Sequence, residues 1–464
     1  MVPVTSKVLL PDAPLLRLDD YMAAGGSVAL RAARSSGSAA TIDEIARSGL
    51  RGRGGGGFPV GDKWRSIAAA SGGQHFVVAN GAEGEPATFK DRTLMRVDPF
   101  RIVEGAVIAA VAVEALGVYI ATKASFVEEA TNLRHAVDEL RAAGMLDGFE
   151  VEVVTGPDEY LFGEEKALLE VIEGRDPLPR ELPPWQHGLF ATVEIGWEST
   201  RSPGGSDPLS NPTLVNNVET LAAAAHILAR GADWYRTLGT LASPGTIIVT
   251  VVGDVRHPGV HEVEMGTSFA EVLELCGGPL RGRTFKAALS GVSNAVLRAS
   301  DFDVALTYED LAARGSGLGA AGFVVYDDHR DMLAVAEEVS RFLSVESCGQ
   351  CPPCKQGALG ITDELAAIRT GGGSDRDLGR INAMLRSVTD ANRCYLGTEE
   401  QVVVSSILRT FPSDVVDHLE GLTAGSDELV PLIKDIRPNG TVVYDERHRR
   451  KRPDWTFDDG GPGD

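Results

Sequence analysis

Apolar and polar positions fall along this chain in blocks whose period changes. Phe76-Val-Val-Ala79 is a continuous apolar run too short for a helix, and it predicts a buried strand. Val103 to Leu116 follows as an alanine-rich helical run, then Val118 to Ala121 as a strand, Glu128 to Ala143 as a helix and Glu150-Val-Glu-Val-Val154 as a strand. Strand and helix in alternation is the pattern of an α/β protein, with helices laid over a mostly parallel sheet. Leu221 to Ala229 predicts a further helix and Gly245-Thr-Ile-Ile-Val-Thr-Val-Val252 a clear strand. From there to about Val325 short strands mix with one helix, punctuated at Gly253-Asp254, His257-Pro258-Gly259 and Gly277-Gly278, so a small α+β unit is expected. From Met332 helices dominate. Near the start, Leu18-Asp-Asp-Tyr21 predicts one helix, and Thr41-Ile-Asp-Glu44 a capping box opening another before Ile45 and Leu50.

These changes of period divide the chain into 1–240, 245–330 and 332–425, followed by a tail over 426–464. Phe190 to Pro212, rich in Ser, Gly and Pro, reads as an irregular surface insertion. The tail opens on a basic run, Arg447-His-Arg-Arg-Lys-Arg452, and is expected to be extended, solvated and flexible.

Composition narrows the function. At 464 residues there is material for about three cores, and 53 glycines suit loops that approach a ligand closely. A formal charge of −22, from 44 Lys+Arg against 66 Asp+Glu, argues against a nucleic acid partner, because phosphate binding needs a basic surface. Met1 to Asp19 lacks a basic head with an apolar run, and no stretch of about 18 apolar residues occurs. A soluble, cytoplasmic chain is expected, one that meets a membrane only through partners.

The chemistry concentrates in the cysteines. Cys348-Gly-Gln-Cys351-Pro-Pro-Cys354 sets three thiols on one tight loop, and Cys394 follows about forty residues later; only Cys276, at the end of an apolar helical pattern, stands outside the set of five. Four thiolates are the ligand set of iron–sulfur clusters. They also suit tetrahedral zinc, although zinc sites usually draw on two C-x2-C pairs. A disulfide reading requires an oxidising compartment that nothing in the sequence suggests.

Three further stretches point to a ligand. Gly52-Arg-Gly-Gly-Gly-Gly57 runs into Phe58-Pro-Val-Gly-Asp-Lys63-Trp64; backbone N–H groups there can approach an anion or flat ring, with Lys63 and Trp64 offering a cation and a stacking surface. The strand at Phe76 empties into Asn80-Gly-Ala-Glu83-Gly-Glu85, where α/β sheets place ligands, though a solvated acidic turn is the plain alternative. Gly163-Glu164-Glu165 starts a helix whose dipole favours both carboxylates, or else sets them beside a flat cofactor. Asn216-Asn217 places two amides at a helix N-terminus.

Taken together these motifs resemble the NADH-binding flavoprotein subunit of respiratory complex I and the diaphorase subunits of NAD-reducing hydrogenases and NAD-dependent formate dehydrogenases. The similarity runs from about Leu18 to about Leu419. It implies a Rossmann-like α/β flavin domain, a β-grasp domain of the soluble-ligand-binding type and a C-terminal helical bundle carrying a [4Fe-4S] cluster. It also implies hydride transfer from NADH to FMN and then single electrons to the cluster, a step flavins can make between two- and one-electron carriers. By position, Gly52, Gly54, Lys63, Asn80, Tyr160, Gly163, Glu164, Asn216 and Asn217 would hold FMN, with Glu83 in a flavin and dinucleotide segment. Phe58, Glu85 and Glu165 would face NAD(H), Glu85 and Glu165 as the catalytic carboxylates; Cys348, Cys351, Cys354 and Cys394 would ligate the cluster. The partners implied are other redox subunits: a small [2Fe-2S] thioredoxin-like subunit, a ferredoxin or a larger iron–sulfur subunit.

The chain departs from the family pattern on the nucleotide side. Ala82 stands where an aspartate is usual, Ser66 where a second aromatic is usual, and Leu182 where the proline-rich loop carries a lysine. Two other readings follow: an FMN/[4Fe-4S] module exchanging electrons with a ferredoxin or flavoprotein with little NADH binding, and a non-enzymatic cluster-bearing scaffold.

Overall fold

The structure is a computed structural model that describes residues 7–192, 209–423, 430–437 and 439–458. Most of the expected insertion at 190–212 lies outside the described residues. Strands β1 (His75–Gly81), β2 (Ala115–Lys123), β3 (Glu150–Gly156) and β4 (Thr213–Asn217) pair in parallel in the order β3-β2-β1-β4. The β1 run is short and apolar because helices cover its sheet. Helix Pro99–Val113 is buried almost throughout, and Val28–Ser48 and Val218–Arg230 pack on it. Alanines at Ala106, Ala109, Ala110, Ala222 and Ala225 let these helices approach closely. The capping box expected at Thr41–Glu44 is not found. The helix breaks earlier, at Gly37 (φ 80°), and Thr41 sits inside the second half with its hydroxyl donating to the Gly37 carbonyl at 2.8 Å.

A second sheet holds β5 (Thr246–Gly253), β6 (Gly259–Glu264), β7 (Phe285–Ser290), β8 (Leu297–Arg298) and β9 (Gly322–Asp327) in the order β6-β5-β9-β7-β8. Only β5 and β9 are parallel; the other pairs are antiparallel. Helix Phe269–Leu275, capped by Ser268 and Glu271, buries Phe269 and Val272 in one core with Val249, Val251 and Phe323, and Cys276 packs there. A second short helix, Tyr308–Ala313, joins the one expected. Among the described residues from Met332 on, five α-helices follow: Met332–Glu346, Pro352–Arg369, Asp375–Ser387, Leu396–Thr410 and Pro412–Leu419.

The described part of the tail folds back onto the rest of the chain at a few points, although Arg447, Arg449 and Arg452 stay exposed as expected. Strands β10 (Ile433–Ile436) and β11 (Val442–Tyr444) form a hairpin, and Glu446–Arg450 a short 3-10 turn. The reason is a buried carboxylate. Glu346 takes Lys451 Nζ at 2.7 Å and His448 Nε2 at 2.8 Å, so these two members of the basic run are drawn inward by charge. Burial would raise this carboxyl, yet His448 and Lys451 hold it down to about 2. Trp455 Nε1 also donates to the Val345 carbonyl at 2.9 Å.

Candidate functional site

The glycine loop is held in shape from outside. Gly52 N donates to the Phe58 carbonyl at 2.9 Å, closing the loop at its neck. The fully buried Arg53 guanidinium donates to the Thr246 carbonyl at 3.0 Å and the Pro244 carbonyl at 3.2 Å, fastening the loop to β5. Gly57 has φ 59°, and a Cβ there would lie 2.5 Å from the Tyr308 ring, so a side chain is excluded twice over. The loop then enters helix Val60–Ala68. Trp64, expected as a stacking surface, is fully buried and donates through Nε1 to Asn216 Oδ1 at 2.8 Å; its large apolar ring is core, and it holds the amide in place. Lys63 Nζ pairs with Glu165 at 3.0 Å, both partly exposed.

At the carboxyl ends of β1 and β4 the polar groups lock onto one another. Asn80 Nδ2 donates to the Gly163 carbonyl at 2.8 Å. Asn217 caps helix Val218–Arg230 through Oδ1 and donates through Nδ2 to Asp91 at 2.8 Å. Glu83 is buried, with its carboxylate taken by Arg92 Nε at 2.9 Å and the Asp91 N–H at 3.1 Å; it shapes the loop, and the solvated acidic turn is excluded. Lys90, under the cavity, is buried between Asp91 at 2.7 Å and Glu219 at 2.9 Å. Burial opposes its charge, but these carboxylates keep the ammonium above its ordinary range, while burial pushes Asp91 up to about 7. The helix expected to begin at Gly163 begins at Glu165: Gly163 closes a 3-10 turn (Tyr160–Gly163), and Glu164 is the cap, accepting the Lys166 and Ala167 N–H groups at 2.9 Å each. Burial raises the Glu164 carboxyl to about 7.

These groups surround one cavity of about 600 Å³. Its wall includes Gly52, Gly54, Phe58, Lys63, Asn80, Glu83, Glu85, Tyr160, Gly163, Glu164, Glu165, Asn216 and Asn217, so of the cofactor-side residues singled out from the sequence the structure gathers all but Trp64. A volume of this size, walled by glycines and fringed with amides and a lysine, fits a nucleotide-sized flat cofactor. The sequence reading missed the wall supplied from afar: Ser293, Asn294 and Gly319 after β7 and before β9, and Tyr395 and Glu399 at the head of helix Leu396–Thr410. A signal for the last existed. Buried positions at Leu396, Glu399, Glu400, Val403, Val404 and Ile407 recur at helical spacing, with two glutamates where apolar residues belong.

A second, smaller cavity is lined by Cys348, Cys351, Cys354 and Cys394 together with Ser347 and Leu396. Gly349 (φ 78°) turns the loop between the first two thiols, and Pro352 begins the helix that carries Cys354. Among the described residues no three such ligands close on a point that would hold a single metal ion; the four thiols stand around a space. Burial pushes the Cys354 thiol up to about 11 and Cys394 higher still, so loading this cage displaces protons. The donor set fits an iron–sulfur cluster. Leu161, Cys394 and Leu396 line both cavities, which therefore share a wall.

A glycine-walled nucleotide cavity sharing a wall with a four-thiol cage belongs to an electron-transferring flavoprotein of the iron–sulfur class. Comparison with known proteins agrees. Residues 45–226 match the Nuo51 FMN-binding domain, 248–287 the SLBB domain and 334–418 the NADH-ubiquinone oxidoreductase-F iron-sulfur binding region. The NADH-quinone oxidoreductase F subunit numbered 2 of Rhizobium meliloti (strain 1021) is 36% identical over 424 residues, 89% of this chain and 96% of that protein. The HndC subunit of the NADP-reducing hydrogenase of Solidesulfovibrio fructosivorans is 34% identical over 413 residues, 87% of this chain and 81% of that protein. The crystal structure of an NAD+-reducing [NiFe]-hydrogenase in the air-oxidized state superposes with a TM-score of 0.75 at 30% identity, covering 87% of this chain and 67% of that one. The chain belongs to the family of NADH-quinone oxidoreductase F subunits. The resemblance drawn from the motifs is borne out, and with it the expectation of FMN, a [4Fe-4S] cluster and NAD(H) as the family's cofactors.

Proposed function

We propose that this chain is the NADH-oxidising flavoprotein subunit of a larger redox assembly, passing hydride from NADH to FMN and single electrons on through a [4Fe-4S] cluster. The observation that carries this reading is the wall common to the two cavities, formed by Leu161, Cys394 and Leu396. Bound FMN would supply the change from a two-electron to a one-electron carrier. The chain's own residues do the positioning. Gly52 and Gly54 would admit the flavin, which Tyr160, Gly163 and Glu164 would help to hold, and Asn80, Asn216 and Asn217 are pre-set by their internal hydrogen bonds. Phe58, more than half exposed at the cavity, with Glu85 and Glu165, would face the dinucleotide, and Lys63 is the cation that Glu165 holds in place. Cys348, Cys351, Cys354 and Cys394 hold the cluster.

The units served by these sites are an α/β flavin domain over 1–240, a β-grasp domain over 245–330 and a helical cluster bundle over 332–425. Electrons leave for a partner subunit, a small [2Fe-2S] thioredoxin-like protein, a ferredoxin or a larger iron–sulfur subunit. Among the described residues no helix is long and apolar enough to cross a membrane, and any membrane contact runs through such partners.

An anaerobic visible spectrum of the iron-reconstituted, FMN-loaded protein, taken before and after one equivalent of NADH, tests the reading. Both flavin and cluster bands are expected to bleach promptly. Bands that dithionite bleaches but NADH leaves unchanged would favour the ferredoxin-linked reading, in keeping with Ala82 and Leu182.

A further inference from the structure

In the wall of the flavin-side cavity two carboxyl groups meet at one hydroxyl. Tyr160 Oη lies 2.7 Å from Glu85 Oε2 and 3.2 Å from Glu399 Oε1. A phenol has one hydrogen to donate, so it cannot satisfy two ionised carboxylates at once. The surroundings choose between them. Glu85 also accepts the Val292 N–H at 2.7 Å and the Ser293 hydroxyl at 3.1 Å, three donors in all with Tyr160. Glu399 is buried, meets only Tyr160, and its Oε2 has no hydrogen-bond partner among the described residues. Tyr160 therefore donates to the Glu85 carboxylate, and Glu399 carries a proton that it donates to Tyr160 Oη.

No cation intervenes. Among the described residues neither carboxyl has an ion-pair partner, and the charged groups on the packed elements are engaged elsewhere. Glu346, which accepts the Tyr160 N–H at 3.0 Å, is neutralised by His448 and Lys451. Glu400 accepts from Ser340 Oγ at 2.6 Å, Lys123 Nζ donates to the Asp158 carbonyl at 3.0 Å, and Glu164 is the cap of its helix. Burial raises both Glu85 and Glu399; the Glu85 charge raises Glu399 further, while the hydrogen bonds from Tyr160, Val292 and Ser293 hold Glu85 back.

We propose that Glu85, Tyr160 and Glu399 form a proton-holding site in which two carboxyls share one proton, and that this site exchanges a proton with the bound cofactor as electrons pass to the cluster. This rests on the proposed function. Hydride brings two electrons and a proton into the cavity, and the cluster takes electrons alone, so one proton per hydride must leave. The Glu85 carboxylate is its acceptor, turning the pair from singly to doubly protonated, and the proton then passes to solvent. In reverse, the pair returns a proton for every two electrons entering. The three residues come from the loop after β1, the 3-10 turn before helix Glu165–Ile172 and the head of helix Leu396–Thr410, so the site spans the seam between the flavin and cluster units.

Infrared spectroscopy of the full chain, with 13C-labelled glutamate to identify the band, tests this. At neutral pH a protonated-carboxyl C=O band is expected in the flavin-free protein, lost in Glu399→Gln and shifted in Tyr160→Phe, which removes only the bridging hydroxyl. In the FMN-loaded protein, dithionite reduction is expected to change that band's intensity, and Glu399→Gln to abolish the change. A band that neither substitution moves, or that reduction leaves untouched, overturns the proposal. Dithionite bypasses NADH, and the first measurement needs no flavin, so failure of the dehydrogenase reading is seen separately.

Discussion

Single residues at the shared wall have separable duties. Cys351 lines only the smaller cavity, whereas Cys394 lines both. Cys351→Ser is therefore expected to abolish the cluster, read as loss of iron and of the cluster's visible absorption, while FMN stays bound at wild-type stoichiometry. Loss of both cofactors on that change would show that the two sites do not fold independently. Arg53 illustrates the opposite case, a residue with no place in the cavity wall that nonetheless sets it. Its buried guanidinium pins the glycine loop to the Thr246 and Pro244 carbonyls, a five-donor fork that a lysine cannot reproduce.

Elements show where the sequence was readable and where it was not. The β1, β2 and β3 runs and the helices Pro99–Val113 and Val127–Ala142 between them were legible because their apolar period is local, whereas the polar helix Lys90–Val97 was not. The thiol cage was legible from spacing, and the glycine loop from composition. What stayed hidden depends on distant partners. Trp64 offered a ring, but only the fold decides that it is buried against Asn216. Glu399 belongs to the cavity wall through a helix more than three hundred residues from the glycine loop. His448 and Lys451 looked solvated like the rest of the basic run because Glu346, their buried counter-charge, lies about a hundred residues away. That ion pair makes a pH prediction. The Glu346 carboxyl sits at about 2 against an ordinary 4.5, so its ionised form contributes stability that is fully present above about pH 4.5 and is lost as pH falls through about 2. The contribution is about 3 kcal/mol. Chemical unfolding followed between pH 2 and 5 should show this loss in the wild type and not in Glu346→Gln. Lys451→Met, which leaves Glu346 buried with one partner fewer, should cost about 3–5 kcal/mol near neutrality.

At the scale of the whole molecule the tail ties the flavin unit to the cluster unit. On one side Arg92 Nη1 donates to the Ile433 carbonyl at 2.7 Å, Arg96 pairs with Asp435 at 2.8 Å, and the Ala87 N–H donates to the Pro431 carbonyl at 2.9 Å. On the other, Lys451 meets Glu346, Trp455 meets the Val345 carbonyl, and Lys355 Nζ donates to the Pro453 carbonyl at 2.6 Å. Among the described residues none of the tail lines the cofactor cavity. The tail nevertheless reaches it in two steps, because the guanidinium that Ile433 holds is the one that grips Glu83 at 2.9 Å, and Glu83 shapes the cavity loop. Removing the tail strips two acceptors, the Ile433 and Lys434 carbonyls, from one nitrogen of a buried guanidinium, a loss of about 1–3 kcal/mol. A chain ending at residue 423 is therefore expected to bind FMN on the order of tenfold more weakly by flavin fluorescence titration, although every residue of the cavity wall is still present. In the full chain Arg92→Lys should weaken flavin to a similar degree, and combining it with the truncation should add little, because both act on one chain of contacts. Full additivity of the two changes would mean that the tail supports the cavity by some route other than Arg92 and Glu83, and an unchanged flavin affinity on truncation would mean that it does not support the cavity at all.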